Sequence, residues 1–349
     1  MKKVVIDGQP IGASHPCFII AEAGVNHNGD LQRARELVQR AKQAGANCVK
    51  FQTFKAERVV TASAPKAAYQ LKVTDPAESQ LAMLRKLELS ESDHRVLLSE
   101  CREEGIVFLS TPYSMEDAEL LHALGVPGFK IASGQLVELP FLAMIARFNK
   151  PVILSTGMAT LGETQEAVAT LRNHGNDQII VLQCTTNYPS RLADTHLRSM
   201  ATLAKATDTI VGYSDHTEGI TACLASVALG AAVLEKHFTL DRTLPGPDHL
   251  CSSEPAELAA LVQGVREVET ALGGDVKQPS PAELANLAGM RRSIVAARAI
   301  KAGEVTTPSD FAFKRPATGF APKRLHELLG RKARNDIAAD AQVGPDHFT

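Results

Sequence analysis

Two runs in the second half of the chain each end on a histidine behind charged neighbours: Gly212-Tyr213-Ser214-Asp215-His216 and Val233-Leu234-Glu235-Lys236-His237. In an extended strand alternate side chains share a face, so Ser214 points with His216, and Glu235 with His237. Neighbouring strands lie roughly 4.8 Å apart. That is close enough for His216 and His237 to approach one divalent cation and leave positions for water and substrate, with Glu235 orienting a ligand from behind. The ordinary alternative is a pair of hydrogen-bonded histidines. Lys50 and Gln52 also alternate onto one face, and Lys130 closes another apolar run. With Ser133, Ser155 and Ser214 these lysines make a receptor for a small anion carrying phosphate or carboxylate. Snorkelling surface lysines and a Schiff-base nucleophile are the alternatives.

All of these residues stand at the ends of short apolar runs, and eight such runs recur: Phe18 to Ala21, Cys48 to Phe51, Ile106 to Leu109, Phe129 to Ala132, Val152 to Leu154, Ile179 to Leu182, Ile210 to Tyr213 and Ala231 to Leu234. Helical patterns lie between them, such as Leu31, Ala34, Leu37, Val38 and Ala41 behind Asp30 as N-cap. Eight strand-then-helix units predict an α/β chain built as a (β/α)8 TIM barrel, because each apolar strand needs its crossover helix as cover. Barrels of this kind carry their chemistry where the strands end. The polar residues closing the runs are Glu22; Lys50 and Gln52; Ser110 and Thr111; Lys130 and Ser133; Ser155 and Thr156; Cys184 and Thr185; Ser214, Asp215 and His216; and Glu235, Lys236 and His237. A solvated strand exit explains any one of them; all eight together point to a site. The long connection from Lys55 to Leu81 reads as a functional loop on that face. Asn26-His27-Asn28-Gly29-Asp30 reads as a turn and helix cap, and Pro245-Gly246-Pro247-Asp248-His249 as a rigid turn that presents an acid.

Around this barrel the chain divides into residues 1–274 (with 1–17 an N-terminal β-hairpin turning at Asp7-Gly8), a Pro-rich linker over 275–290, and a small module over 291–349. Its 349 residues are 44% apolar and 22% charged, which suits a globular chain and excludes disorder. A net charge of −2 gives no basic field for nucleic acid or an anionic membrane. That sum hides a division: residues 291–349 carry a net of +5, which leaves −7 on residues 1–290. A basic module facing an acidic barrel suits a docking lid. Six cysteines without a C-x-x-C pair, no signal-peptide core and no apolar run of membrane-spanning length predict a cytoplasmic protein.

The motifs Ala21-Glu22-Ala23-Gly24-Val25-Asn26-His27-Asn28-Gly29, Val49-Lys50-Phe51-Gln52-Thr53, Lys130-Ile131-Ala132-Ser133-Gly134, Leu154-Ser155-Thr156-Gly157-Met158, Ser214-Asp215-His216-Thr217 and Glu235-Lys236-His237-Phe238-Thr239 are joined by Ser110-Thr111-Pro112 and Gly246-Pro247-Asp248. In kind and order they resemble those of the sialic acid synthases, more broadly the nonulosonate synthases. Lys314-Arg315-Pro316 and Leu328-Leu329-Gly330-Arg331 resemble that family's antifreeze-like (SAF) domain.

The resemblance implies a metal-dependent condensation of phosphoenolpyruvate with N-acetylmannosamine, releasing phosphate and giving N-acetylneuraminate. It implies Mn2+ or Mg2+ on His216 and His237, and phosphoenolpyruvate on Lys50, Lys130, Ser133, Ser155, Thr186 and Ser214 with Thr111 nearby. It further implies sugar contacts from Gln52, Gln135, Tyr188 and Asp248, Glu22 as acid and base, and Arg315 reaching in across a domain-swapped homodimer. The nearest alternative is the same chemistry on 2,4-diacetamido-2,4,6-trideoxymannose, giving legionaminate; a Schiff-base pyruvate lyase and a non-catalytic carbohydrate-binding scaffold stand further off. Three positions depart from the family pattern: Gln135 replaces a common glutamate, Thr186 an asparagine, and Ala317-Thr318-Gly319 a Gly-Asn-Gly turn.

Overall fold

A computed structural model of the chain describes residues 2–67 and 70–349. They form two compact units that divide between Gly273 and Gly274. The first opens with an antiparallel hairpin of β1 (Val4–Ile6) and β2 (Gln9–Ile11). Asp7 and Gly8 both take positive φ, as a two-residue hairpin turn requires. Eight parallel strands follow: β3 (Phe18–Gly24), β4 (Cys48–Thr53), β5 (Val107–Pro112), β6 (Phe129–Ile131), β7 (Val152–Ser155), β8 (Ile179–Cys184), β9 (Ile210–Asp215) and β10 (Val233–His237). Their lateral order is β5-β4-β3-β10-β9-β8-β7-β6, with β5 and β6 brought side by side, so the sheet curls into a nearly closed barrel. Helices cover its outside. The helix Leu31–Gln43, for example, starts where the Asp30 carboxylate accepts the amides of Gln32 and Arg33, and it buries Ala34, Leu37, Val38 and Ala41.

The inward face of each strand changes character along its length. Phe18, Ile20, Cys48, Val107, Leu109, Ile153, Ile180, Leu182, Ile210 and Val233 form one buried cluster at the start of the barrel, and Val4, Ile6 and Ile11 join it. The hairpin is therefore an apolar plug for the closed end. One alternation further on, the same face carries Glu22, Lys50, Thr111, Ser155, Cys184 and Glu235. A period of two places each directly above an apolar residue. Two strands begin and end later than their apolar runs suggest: β5 runs on to Pro112 and β10 to His237. Backbone pairing continues through residues whose polar side chains face the barrel mouth, whereas a hydrophobicity pattern stops at the first of them. On β9 the inward position before Ser214 is Gly212. A Cβ there would land on the carbonyl oxygen of Val233 and come within 2.7 Å of Leu182 Cδ2.

The connection after β4 carries the short helices Ala56–Val59, Gln70–Val73 and Gln80–Arg85. In the second unit the segment read as a linker holds a helix, Pro281–Met290, capped by Ser280. β11 (Ser293–Ala296) pairs antiparallel with β12 (Phe311–Lys314) over a small core that includes Ile294, Ile300, Phe311, Leu328 and Phe348. The six cysteines are buried and unpaired among the described residues. No described helix is long and apolar enough to cross a membrane.

Candidate active site

The strand ends open into a cavity of about 490 Å³. It is lined by Glu22, Lys50, Gln52, Thr111, Lys130, Ser133 and Gln135, and by Ser155, Thr186, Tyr188, Ser214, His216 and His237. Asp248 lines an adjoining cavity of about 220 Å³ that shares Gln52, Tyr188 and His237 with the first. Fourteen sequence-predicted positions on eight strands and their loops are thus brought to one place. Arg315 lies in the second unit, exposed, with its Nε donating to the Met290 carbonyl at 3.0 Å.

At the centre is a buried array of opposite charges. Lys50 Nζ lies 2.5 Å from the Glu22 carboxylate and 3.7 Å from Glu235, and donates to Thr111 Oγ1 at 2.9 Å. Lys130 Nζ lies 3.4 Å from Glu235, which also accepts from Ser214 Oγ at 2.8 Å. Glu235, expected behind a histidine, instead holds the two lysines. The reason is geometric: on a closed barrel its carboxylate meets side chains from β4, β6 and β9 on the inner face.

The two carboxyls differ in acidity although both are buried. Burial, reinforced by the charge of Glu235, raises Glu22 to about 7 against the pull of Lys50. Burial acts on Glu235 in the same sense, but Lys130 and Lys50 together outweigh it and bring it to about 2. One carboxyl is therefore poised to exchange a proton near neutral pH while the other stays a fixed anion. Burial lowers the Lys50 ammonium, yet Glu22 and Glu235 more than offset this and keep it protonated.

His216 and His237 face each other across the β9–β10 seam with ring centroids 5.2 Å apart. The Thr185 carbonyl, which only accepts, takes the Nδ1 proton of His216 at 2.8 Å, so Nε2 is the nitrogen left for a ligand. His237 Nδ1 is buried without a hydrogen-bond partner among the described residues, and burial keeps its imidazole neutral. A neutral His237 with an orphaned nitrogen, beside a His216 that the Cys184 thiol and the Thr185 carbonyl raise against burial, offers two imidazoles that suit a divalent cation. Among the described residues no group of three or more His, Cys, Asp or Glu assembles as a ligand set, so these two would be its protein ligands. Tyr188 packs against both rings, at 4.2 Å from His216 and 5.8 Å from His237.

Other polar atoms on the cavity wall are also unsatisfied. Ser155 Oγ, Thr186 Oγ1 and both amide atoms of Gln135 are buried without a partner among the described residues. Buried polar groups are nearly always paired, so a cluster of exceptions in one cavity marks where a polar ligand sits. Sequence reasoning passed over Arg58, Tyr113, Glu138 and Met158, which also line the cavity. Arg58 belongs to the long connection already flagged as functional, and Tyr113 follows the Ser110-Thr111-Pro112 strand end, so a signal existed for both. Met158 closes the Leu154-Ser155-Thr156-Gly157-Met158 motif, and nothing local marked Glu138.

The residues 37–277 match the model of the NeuB family, and 291–349 match that of the SAF domain. The chain is 47% identical to N,N'-diacetyllegionaminic acid synthase of Campylobacter jejuni, over 93% of this chain and 98% of that one. It is 44% identical to the N,N'-diacetyllegionaminic acid synthase of Legionella pneumophila, over 97% of each. Among solved structures, the N-acetylneuraminic acid (sialic acid) synthetase of Leptospira borgpetersenii in complex with citrate superposes with a TM-score of 0.74 at 32% identity, covering 82% of this chain and 95% of that one. A parallel barrel with this mouth, followed by a SAF domain, defines a phosphoenolpyruvate-dependent synthase that forms carbon–carbon bonds. The chain belongs to the NeuB family, the nonulosonate synthases, whose members condense phosphoenolpyruvate with an N-acetylated amino sugar and depend on a divalent metal.

Proposed function

We propose that the protein condenses phosphoenolpyruvate with 2,4-diacetamido-2,4,6-trideoxymannose to give N,N'-diacetyllegionaminate and phosphate. The sequence by itself puts N-acetylmannosamine first, and one finding reverses that order. The relatives of 47% and 44% identity are both named for the diacetyl product. The observation that carries the choice is this likeness, and the adjoining cavity is compatible with it: Val25, Phe54, Val59, Leu84 and Leu87 line one part of it, and its described lining includes no Lys or Arg. Those apolar residues suit the methyl groups of a 6-deoxy, doubly acetylated sugar, and a phosphorylated C6 would meet Asp248 and no Lys or Arg among the described lining residues, while Gln52, Gln70 and Gln80 are there for polar groups of the sugar.

In this reading Lys50 and Lys130 neutralise the phosphate and carboxylate of phosphoenolpyruvate, and Ser133, Ser155, Thr186 and Ser214 hydrogen-bond its oxygens, with Thr111 holding Lys50. A Mn2+ or Mg2+ ion held by His216 and His237 supplies Lewis acidity toward the oxygen of the open-chain aldehyde. Gln52, Gln135, Tyr188 and Asp248 hold the sugar. Carbon 3 of the enol bonds to the aldehyde carbon, water adds at carbon 2, and phosphate leaves. Glu22 gives its proton to the aldehyde oxygen and recovers one from the water. A protonated Lys50 argues against a Schiff base at that residue, which needs a free amine, whereas burial lowers Lys130. Arg315 is assigned to the sugar site of a second copy in a domain-swapped homodimer, a reading supported by the opposite net charges of residues 291–349 and 1–290.

Incubation with phosphoenolpyruvate, Mn2+ and a panel of 2-acetamido sugars, followed by phosphate release and mass spectrometry, tests this. The diacetamido trideoxy sugar is expected to give the highest kcat/KM. A preference for N-acetylmannosamine would restore the other product, and no turnover with any member of the panel would overturn the function.

A further inference from the structure

On the outer face of the barrel, directly behind the two histidines, lies a second ion pair that the proposed chemistry does not use. Lys236 and Asp215 are opposite each other in the parallel ladder between β10 and β9. Lys236 Nζ lies 2.8 Å from Asp215 Oδ2, with the two side chains 1% and 0% exposed. Each residue immediately precedes a histidine, His237 and His216.

The pair also grips the chain on both sides of His216. Asp215 accepts from the Thr217 amide at 2.9 Å and from Thr217 Oγ1 at 3.1 Å, closing a tight turn with His216 at its apex. The Lys236 ammonium donates to the Thr217 carbonyl as well as to Asp215. Tyr213 OH and Cys223 Sγ complete the carboxylate's contacts at 2.9 and 3.0 Å. One ammonium, on the residue before His237, therefore clamps the residues before and after His216.

Burying two charges is poor design for stability alone, since apolar residues of similar size serve as well or better. What an ion pair adds is selection of register. Alternation prevents a strand from slipping by one residue, because that turns its core face outward, but it does not prevent a slip by two. A unique lysine opposite a unique aspartate does.

We propose that Lys236 and Asp215 are positioning residues that set the spacing and aim of His216 and His237 as metal ligands. The proposal rests on the metal reading above.

The test is Mn2+ affinity of the folded protein, followed by electron paramagnetic resonance without substrates. Asp215→Asn/Lys236→Met removes both charges at nearly constant volume. It is expected to keep the native circular dichroism and a cooperative melt while its Mn2+ dissociation constant rises at least tenfold. Native affinity in the folded double variant overturns positioning and leaves the pair a matter of stability. Should that variant not fold, Thr217→Val decides. It keeps the ion pair and backbone contacts but removes one hydroxyl of the clamp, and a several-fold weaker affinity supports the proposal while an unchanged one overturns it. His216→Ala serves as the control. If the unmodified protein binds no Mn2+, or binds it equally well without His216, the metal reading itself fails, and this proposal with it.

Discussion

The ammonium of Lys50 lies 2.5 Å from the carboxylate of Glu22, and both are buried in the barrel mouth. Glu235 on the far side of Lys50 makes this a chain of alternating charges, Glu22–Lys50–Glu235–Lys130. The ligand-free site is thus nearly neutral. In the proposed reaction an anionic substrate would displace carboxylates from lysines, and the carboxylate most easily given up would be the one whose acidity is already weakened.

Glu22 is that carboxylate, and its titration has a definite sign. Its folded-state pKa of about 7 lies above the ordinary 4.5, so the native state holds the proton more tightly. The resulting stabilisation is complete below pH 4.5 and is lost as pH rises through 7. The melting temperature of the wild type should therefore fall relative to Glu22→Gln across that window. The same variant should lose kcat by about 10²–10⁴-fold, the usual contribution of a general acid or base. Melting temperatures that run parallel between pH 4.5 and 7 would reject the assigned acidity.

Ser155 Oγ has no hydrogen-bond partner among the described residues. Removing it in Ser155→Ala should leave the melting temperature unchanged. If the hydroxyl serves a phosphoenolpyruvate oxygen, the KM for that substrate should rise by about tenfold or more, the cost of a hydrogen bond to a charged group being roughly 1.5–3 kcal/mol. Steady-state kinetics with the sugar saturating separates this from a loss of sugar binding.

Chelation should abolish turnover, with recovery on adding Mn2+ or Mg2+, and borohydride should trap no pyruvate on Lys50 or Lys130. Mass spectrometry of the reduced protein is the check. A trapped adduct would move the reaction to the Schiff-base class.

Leu84 belongs to the apolar wall of the adjoining cavity. Leu84→Arg places a cation there and should shift kcat/KM away from the trideoxy sugar and toward a 6-phosphorylated 2-acetamido sugar. About tenfold is the scale expected from changing one apolar contact. Competition between the two sugars measures the ratio directly.

Gly212 has no room for a side chain between Val233 and Leu182. Gly212→Ala should destabilise the barrel by about 1–3 kcal/mol, as overpacking does. Thermal or denaturant unfolding reads this out. An unchanged midpoint would mean that β9 and β10 separate more easily than their ladder suggests.

Much of the site is written locally. Strand alternation alone puts Lys50 with Gln52, Ser214 with His216 and Glu235 with His237 on common faces, because side-chain direction depends only on the backbone of the strand itself. The apolar run before each polar residue marks the strand, and the order of strand and helix marks the barrel. The adjoining cavity was not legible. Val25, Phe54, Leu84 and Asp248 come from the connections after β3, β4 and β10, Leu84 from the helix Gln80–Arg85, and no periodicity links them.

The pairing of charges was also beyond the sequence. Read singly, Lys50 and Lys130 are anion receptors and Glu235 a support for a histidine. Only closure of the barrel shows Glu235 holding both lysines and Glu22 pushed toward neutral acidity, and places Lys236 against Asp215 behind the histidines. Direction along a strand is a local property of covalent geometry. Acidity and partnership depend on burial and on distances between strands far apart in the chain, and those exist only once the fold has brought the strands together.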